Sequence, residues 1–457
     1  MKSDLFGGNV SLSSDGAVQS WNEMQMAFLS HGASTPTHLG AVLTTDPEFA
    51  LAHAVKGLFC LMLGRSEMVQ PAIDAAAAAK RSVLAGQITR RERHYVEALD
   101  SWLDGSLLAA ISHMEAVLRE HPQDSLALKI SHAIRFILGD VKGMRASIEA
   151  VLPAYGLDHP AWGYVMGCHA FSLEETGEYA QAERTGRQAV LHTPNDAWGL
   201  HAVAHVFDMT GDSAEGLKWL NGREEAWSHC NNFRFHVWWH KALMHLDRGE
   251  VDAVLALYDA EIRKEKTDDY RDISNGTSLL MRLELDGVDV GNRWEEMADF
   301  SAARTEDGCL IFADLHYLLA LMGGRREDAL GKLMSRIQRD ASNSKSDVET
   351  RMANPGVAAA AGLEAFGDGN YKSAYLNLAQ ARQAMQSVGG SHAQRDVFER
   401  VTIDAGIRAG FLDDAKAILD ERKSRRSGVE DGYAAARYEM ISQSNAYTDA
   451  DISLPAE

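Results

Sequence analysis

Glycine-containing turns recur along the chain at a spacing of 34 to 45 residues. Between these turns apolar residues recur at i, i+3 and i+4, and alternation with period two is almost absent. Helix-turn-helix repeats whose loops vary slightly in length produce such a spacing. The pattern predicts an all-α solenoid, with turns at Gly64, Gly105, Gly139, Gly177, Gly211, Gly249, Gly287, Gly324, Gly369 and Gly410.

The clearest repeat is the segment "GEYAQAERTGRQAVLHTPND". It begins with the turn residue Gly177, has the small residue Ala182 where two paired helices must cross closely, and stops at Pro194, as a tetratricopeptide repeat does. Other units are more degenerate, so we expect one irregular array of about ten helix pairs over residues 1–457, curled around a central groove or pocket. The polar run 339–356 is predicted to be a flexible loop between repeats.

Charge and composition exclude several classes of function. The 45 basic and 65 acidic residues give a net charge of -20, which repels a phosphate backbone, so no nucleic-acid partner is expected. No signal peptide, membrane span, P-loop or dinucleotide fingerprint is present, which predicts a cytoplasmic protein without a nucleotide cofactor. The cysteines form no C-x-x-C pair, which argues against a thiolate zinc site; they are Cys60, Cys168, Cys230 and Cys309.

Two histidine pairs with i, i+4 spacing begin the segments "HAVAHVFDMTGD" and "HVWWHKALMHLDRGE". Residues 13, 10 and 6 places before a turn glycine form one stripe on the first helix of a repeat, which lines the concave face. This count places Trp198, His201 and His205 on the inner surface of one repeat. It places His236 and Trp239 on that of the next, with His240 beside them. The spacing therefore predicts that two neighbouring helices direct four imidazoles at one place.

Three interpretations of these imidazoles remain open. Paired histidines on a helix are typical of metal sites, so His201, His205, His236 and His240 are candidate ligands of a divalent ion. Neither pair has the glutamate of H-E-x-x-H, and a neutral imidazole serves equally well as a general acid or base. Histidines on an apolar helix also serve simply as packing residues. The same count adds Tyr164, Asp314 and Arg400 to the inner surface.

Several segments in fixed order cover nearly the whole chain: "ITRRERHYVEALD", "DSLALKISHAIRFILGD", "NDAWGLHAVAHVFDM", "HVWWHKALMHLDRGEVDAVLALYD", "SLLMRLELDGVDVGNRW", "FADLHYLLA" and "GGSHAQRDVFERV". Together they resemble the tetratricopeptide repeat protein 38 family, which implies a helical-repeat fold but no particular reaction. The residues that match the family's motif positions are His201, His205, His236, Trp239, His240, Asp272, Ser278, Arg282, Asp314, His316, Gln394, Arg395 and Asp396. The chain departs from the family pattern at Val237, Asn275 and His392.

The segment "GGSHAQRDVFER" has a structural and a functional interpretation. Ser391 followed by Gln394 is a capping box, which explains these two residues without chemistry. Arg395 and Asp396 behind it either brace the last repeat against earlier ones or bind a carboxylate of a substrate.

Two functions from different classes follow. The first is a small-molecule protein, hydrolase-like or using another proton transfer, with His201, His205, His236, His240 and Asp314 as catalytic residues. Its small polar or anionic ligand in the concave groove would contact Tyr164, Trp198, Trp239, Asp272, Ser278, Arg282, His316, Arg395 and Arg400. The alternative is an interaction scaffold for a peptide or protein, or a ligand sensor without catalysis. A homodimer is compatible with both.

Overall fold

Consecutive helices form hairpins that are joined by the glycine turns identified in the sequence. The computed structural model describes residues 1–86 and 88–452, and the array is all-α apart from a short N-terminal β-hairpin. All of the predicted turn glycines except Gly324 have a positive φ, the left-handed conformation that glycine adopts without strain. At that exception Arg325, with φ of 53°, takes the left-handed conformation instead.

The first half of the chain begins with strands β1 (Lys2–Ser3) and β2 (Asn9–Val10), which pair antiparallel. Its helices are α1 (Asp15–Leu29), α2 (Thr35–Thr45), α3 (Ala50–Met62), α4 (Val69–Ala85), α5 (Arg90–Leu103), α6 (Leu107–Glu120), α7 (Ser125–Ile137), α8 (Val141–Val151), α9 (Trp162–Glu175), α10 (Tyr179–His192), α11 (Ala197–Met209), α12 (Ser213–Leu220) and α13 (Glu225–Ser228). Short 3₁₀ turns cover Ser66–Met68 and Leu152–Ala154.

The second half continues the same pairing and ends in a single long helix. Its helices are α14 (Phe233–Asp247), α15 (Val251–Leu257), α16 (Tyr270–Leu285), α17 (Arg293–Ala302), α18 (Ile311–Gly323), α19 (Glu327–Asn343), α20 (Asp347–Arg351), α21 (Val357–Gly367), α22 (Tyr371–Arg382), α23 (His392–Arg408), α24 (Leu412–Arg425) and α25 (Gly432–Ile452). A single turn of π-helix covers Tyr258–Ile262, and a 3₁₀ turn covers Met385–Val388. Met352–Gly356 is a kink in which Asn354 has an extended backbone.

The array curls so far that hairpin turns of the first half touch the second half. Next to the first turn glycine, Arg65 forms an ion pair with Asp268 at 2.8 Å. At the next turn glycine, the backbone N–H of Asp347 donates to the carbonyl oxygen of Gly105 at 2.9 Å. Near the C-terminus, Arg437 forms an ion pair with Asp286 at 2.6 Å, and α23 packs against α11 and α16. The predicted curled solenoid is thus confirmed, and α23 packs against helices of two earlier repeats.

One turn glycine shows why these contacts need small residues. A Cβ atom on Gly139, whose φ is 68°, would lie 1.8 Å from the carbonyl oxygen of Gln386. That separation is far shorter than a van der Waals contact. Only glycine therefore allows this turn of the first half to touch the second half of the chain here. This glycine therefore serves both as a hairpin turn and as a point of contact between the two halves of the array.

The polar run 339–356, predicted to be a flexible loop, is mostly helical in the structure. It comprises the end of α19, a break around Ser344, all of α20 and the kink Met352–Gly356. Ser346 and Glu349 form a capping box that starts α20, and the adjacent Asp347 accepts from the backbone N–H of Leu108. The capping box and the contact with Leu108 in the first half of the chain order this segment, whose polar composition alone indicated a loop.

Apolar side chains form most of the interior, and the cysteines are free thiols. Two large hydrophobic clusters cover the first and second halves of the array and meet near Val237 and Trp239. All four cysteines are free, and all but the partly exposed Cys309 are buried. Among the described residues no helix has the length and apolar character needed to cross a membrane.

Candidate functional site

The two histidine pairs lie on α11 and α14, the first helices of neighbouring repeats. His201 and His205 are one helical turn apart on α11, and His236 and His240 are one turn apart on α14. Because i and i+4 share a helical face, each helix directs both of its rings the same way. Ring nitrogens from all four residues lie within 4.8 Å of one another. The prediction that the pairs converge on one place is confirmed.

The Nε2 atoms of the four rings form a chain of close contacts. The Nε2 atom of His201 lies 2.9 Å from that of His205 and 3.1 Å from that of His236. The Nε2 atom of His240 lies 3.2 Å from that of His236. An ion bound to imidazoles at about 2.0–2.1 Å holds nitrogens about 2.9 Å apart at right angles and about 3.3 Å apart at tetrahedral angles. The spacing of the four-histidine cluster, as we call this set, falls within that range.

Burial keeps the four imidazoles neutral. His201, His205 and His240 are at most 1% exposed. Desolvation lowers the pKa of each of these three well below its usual value, and the closeness of the neighbouring histidines, which could not all be charged at once, adds to the shift. Burial also lowers the pKa of His236 to about 4. Only the neutral imidazole binds a metal, so all four lone pairs are available at neutral pH.

Hydrogen bonds alone cannot satisfy these contacts. The Nδ1 atom of His236 lies 2.9 Å from the Oδ1 atom of Asn275, an acceptor that holds the single imidazole proton on Nδ1. The Nε2 atom of His236 is therefore an acceptor. His201 has at most one Nε2 proton for its two neighbours, His205 and His236, so one of these contacts lacks a matched donor and acceptor. A shared cation removes the conflict, because every Nε2 atom then offers it a lone pair.

A buried carboxylate stands behind the cluster. The Oε2 atom of Glu174 lies 3.5 Å from the Nδ1 atom of His205, and its Oε1 atom lies 2.5 Å from the Nε2 atom of His392. Burial raises the pKa of Glu174 to about 7. Burial also acts to lower the pKa of His392, but the charges of Glu174 and Glu175 outweigh it and raise that pKa to about 9. The Glu174 and His205 atoms are not hydrogen-bonded to each other, but a carboxylate at this position is of the kind that orients histidines in metal sites.

Aromatic rings enclose the cluster. The ring of His236 stacks on Trp239 with centroids 5.2 Å apart, and His201 lies 5.0 Å from Trp198. Phe233 completes the wall at 5.1 Å from His201. Trp198 and Trp239, predicted to contact a ligand, thus pack directly on the imidazoles. Such a wall lowers the local dielectric and strengthens any charge interaction inside it.

Asp314, predicted to be catalytic, is held away from the imidazoles. It forms a buried ion pair with Arg336 of α19, and burial raises its pKa although the guanidinium opposes the shift. The Nδ1 atom of His316 donates to the carbonyl oxygen of Phe312 at 2.8 Å, and burial lowers the pKa of His316 to about 3. The carboxylate therefore pairs with a guanidinium of its own repeat rather than completing the histidine set.

Three other predicted residues make local contacts. The hydroxyl of Tyr164 donates to Asn195 at 2.9 Å, and that of Ser278 donates to the carbonyl oxygen of Asn275 at 3.2 Å. The Oδ2 atom of Asp272 accepts from the side chain of Asn232 at 2.6 Å, while its buried Oδ1 atom has no hydrogen-bond partner among the described residues. Burial raises the pKa of Asp272 to about 7.

The predicted anion-binding arginines brace the last helices. Arg282 donates to the carbonyl oxygen of Ala393 at 2.7 Å, and burial lowers its pKa to about 9. Arg395 donates to the carbonyl oxygen of Gly390. Arg400 donates to Asp396 at 2.8 Å. The Ser391 and Gln394 capping box is present. Of these contacts, that of Arg282 joins the segment to an earlier repeat, whereas those of Arg395 and Arg400 lie within the segment.

Two small cavities lie beside these arginines. Their volumes are about 20 and 40 Å³; Arg282 and Arg400 line the first, His392 and Arg426 line the second, and Asp396 lines both. One water molecule needs about 10–15 Å³ by the same measure. These cavities therefore have room for a few waters and not for a metabolite.

Sequence reasoning missed Glu174 and Asn275 as partners of the imidazoles. Glu174 stands three residues before Gly177, so extending the inner stripe by one more turn toward the glycine finds it. Asn275 lies on α16, the first helix of the next repeat. Only the packing of α16 against α14 brings it to His236.

No protein-family model matches the chain. Solved structures with a similar chain path include the human IFIT1 dimer with PPP-AAAA, with a TM-score of 0.43 and 16% identity over 95% of this chain and 96% of that chain. They also include the human IFIT1 dimer with m7Gppp-AAAA, with a TM-score of 0.39 and 15% identity over 96% of each chain. Likeness of this degree carries no information about function.

Proposed function

We propose that this chain is a metal-binding helical-repeat protein whose four-histidine cluster holds one divalent transition-metal ion. The observation that carries the proposal is the convergence of four neutral Nε2 atoms with contacts of 2.9 to 3.2 Å. Imidazole ligands suit zinc, copper, iron and nickel. We expect zinc, because it imposes no geometry of its own and the separations lie between the right-angle and tetrahedral values.

Four protein ligands favour a structural ion. Catalytic zinc sites keep one position open for water or substrate, whereas structural sites are closed by the protein. An ion held by α11 and α14 would fix the angle between two neighbouring repeats. It would also stabilise the folded state by about 4 kcal/mol at a free concentration 1,000 times its Kd.

In this proposal the array acts as an interaction scaffold whose curvature the ion maintains. Helical-repeat arrays bind peptides and partner helices along extended surfaces. The cavities beside Arg282 hold only a few waters, so the predicted anion-binding arginines do not line a pocket for a small molecule there. Membership of the tetratricopeptide repeat protein 38 family, implied by the sequence resemblance, is part of the same proposal.

Elemental analysis by mass spectrometry tests the metal site. The untagged protein, purified without chelator, should contain zinc at one or more equivalents per chain. His201→Gln/His240→Gln should lose one equivalent, while His121→Gln, which changes an exposed histidine of another repeat, should lose none. Circular dichroism checks that each variant folds, and His236→Gln replaces the double variant if that one does not. Unchanged metal in the folded variant, or none in wild-type protein reconstituted with zinc, would overturn the proposal.

The second candidate function is metal-assisted hydrolysis, which one observation favours. Asp272 has a pKa of about 7 and an unpaired Oδ1 atom, and it lies one helical turn before Asn275, which contacts His236. A carboxyl group that titrates near neutrality suits a general base, and a fifth position on the ion would supply the water. Hydrolysis of p-nitrophenyl acetate by the zinc-loaded protein should then depend on Asp272. Equal rates in Asp272→Asn, or no hydrolysis, would contradict this candidate.

A further inference from the structure

A second set of metal-ligating side chains lies on a different helix pair. His94 and Glu97 are three residues apart on α5, so they share one helical face, and His113 faces them from α6. A capping box formed by Thr89 and Glu92 starts α5. This open cluster, as we call His94, Glu97 and His113, contains none of the residues of the four-histidine cluster.

The three ligand atoms form an equilateral triangle. The Nδ1 atoms of His94 and His113 are 3.3 Å apart. The Oε2 atom of Glu97 lies 3.3 Å from each of them. Ligands bound tetrahedrally at about 2.0–2.1 Å are about 3.3–3.4 Å apart. The triangle therefore has the dimensions of one face of a tetrahedral zinc site.

Protons alone cannot satisfy all three contacts while both imidazoles are neutral. The ionised Glu97 carboxylate only accepts, and each Nδ1 atom carries at most one proton. If both imidazoles donate to Glu97, their N–H groups oppose each other at 3.3 Å. If His94 instead donates to His113, the lone pair of His113 faces the carboxylate. A cation inside the triangle attracts all three atoms at once.

The open cluster is partly exposed, unlike the four-histidine cluster. The side chains of His94, Glu97 and His113 are 17%, 42% and 29% exposed. Two imidazoles and one carboxylate are the ligand types of His₂Glu zinc sites, which keep their fourth position for water. Water can reach the fourth position from the exposed side.

We propose that His94, Glu97 and His113 bind a second divalent ion of the zinc class, with a solvent molecule as its fourth ligand. The inference does not rest on the four-histidine cluster, because the two sets share no residue. With three protein ligands and an exposed position, this ion exchanges faster than an ion closed in by four buried imidazoles. Its water can be replaced by a donor such as a carboxylate or an imidazole of another molecule.

Titration of chelator-stripped protein with Co²⁺, followed by the visible absorption of the bound ion, tests the inference. Wild-type protein should bind two equivalents, and His113→Gln and Glu97→Gln one each. His121→Gln is the matched control, because His121 is an exposed histidine just beyond α6. This variant should bind two equivalents of Co²⁺. The second-site affinity should fall by more than the roughly 10–100-fold that loss of an outer-shell partner produces.

Each outcome separates the two sites. If the four-histidine cluster binds no ion, wild-type protein should bind one equivalent and His113→Gln none. If His113→Gln and Glu97→Gln, folded by circular dichroism, bind as many ions as wild type with the same affinity, the second site does not exist. Because all three side chains are partly exposed, both variants should fold.

Discussion

The four-histidine cluster and the open cluster use similar ligand chemistry in opposite surroundings. The first is buried among aromatic rings and joins two repeats through four imidazoles. The second joins the two helices of one hairpin through two imidazoles and a carboxylate that remain partly exposed. On the two proposals, burial and ligand number, rather than the presence of histidine, would separate an ion that holds a fold together from one that exchanges its ligands.

Removal of metal should have the largest effect, and it should come almost entirely from the four-histidine cluster. Stripping the ion should lower the free energy of unfolding by about 4 kcal/mol if the free ion was at 1,000 times Kd. Urea unfolding followed by circular dichroism, with and without chelator, measures this loss. His113→Gln should show the same loss as wild type. A chelator effect that disappears in His113→Gln would reverse the assignment of structural and exchangeable sites.

Acid should destabilise the metal-free protein through the buried imidazoles. The pKa of His236 is about 4 in the folded protein and about 6.5 in an unfolded chain. Between these values the unfolded state binds more protons, so stability is lost as pH falls from about 6.5 to 4. The loss from His236 alone should be about 3 kcal/mol.

Urea unfolding of metal-free protein between these pH values checks the acid effect, with His236→Gln for comparison. The variant should lack this part of the pH dependence, whereas His113→Gln, at the partly exposed cluster, should retain it. Identical slopes in wild type and His236→Gln would show that His236 is not held neutral.

Loss of Asn275, the hydrogen-bond partner of His236, should weaken metal binding only at the four-histidine cluster. Asn275→Leu removes the acceptor that holds the proton of His236 on Nδ1, and affinity at the four-histidine cluster should fall about 10–100-fold. Competition with a chromophoric chelator measures it. Ser274→Ala, a neighbouring buried residue whose hydroxyl has no partner among the described side chains, should leave the affinity unchanged. Equal metal affinity in Asn275→Leu and wild type would contradict the claim that Asn275 holds the proton of His236 on Nδ1.

The smallest expected effect is on stability at the open cluster. His113→Gln changes a partly exposed side chain, and such substitutions usually alter the free energy of unfolding by about 0.5 kcal/mol or less. Thermal unfolding of zinc-loaded wild type and variant measures the difference. A loss of several kcal/mol would mean that this ion, too, holds the fold together, and the contrast between the clusters would fail.

The sequence predicted the repeat and the histidine convergence because both depend on local periodicity. The turn glycines mark the hairpins almost without exception, and Gly324 fails only because Arg325 takes the left-handed conformation. The i, i+4 spacing fixed the direction of the rings relative to their helices. Counting a fixed number of residues back from each turn glycine then placed both histidine pairs on the concave face of neighbouring repeats.

The partners of predicted residues could not be found this way, because they come from elements that the count ignores. Arg336, which pairs with Asp314, lies on α19, the second helix of its repeat. His392, which pairs with Glu174, lies 218 residues further along the chain. It reaches Glu174 only because the array curls until its second half touches its first. Capping and docking likewise turned the predicted loop 339–356 into helix. Long-range closure of the coil has no periodic signature in the sequence.

The most direct test of the central claim is a crystal of zinc-loaded protein measured at the zinc absorption edge. The account predicts an anomalous difference peak at about 2.0–2.1 Å from each of the Nε2 atoms of His201, His205, His236 and His240. An anomalous map without a peak among these four nitrogens, in protein shown to be saturated with zinc, would contradict it.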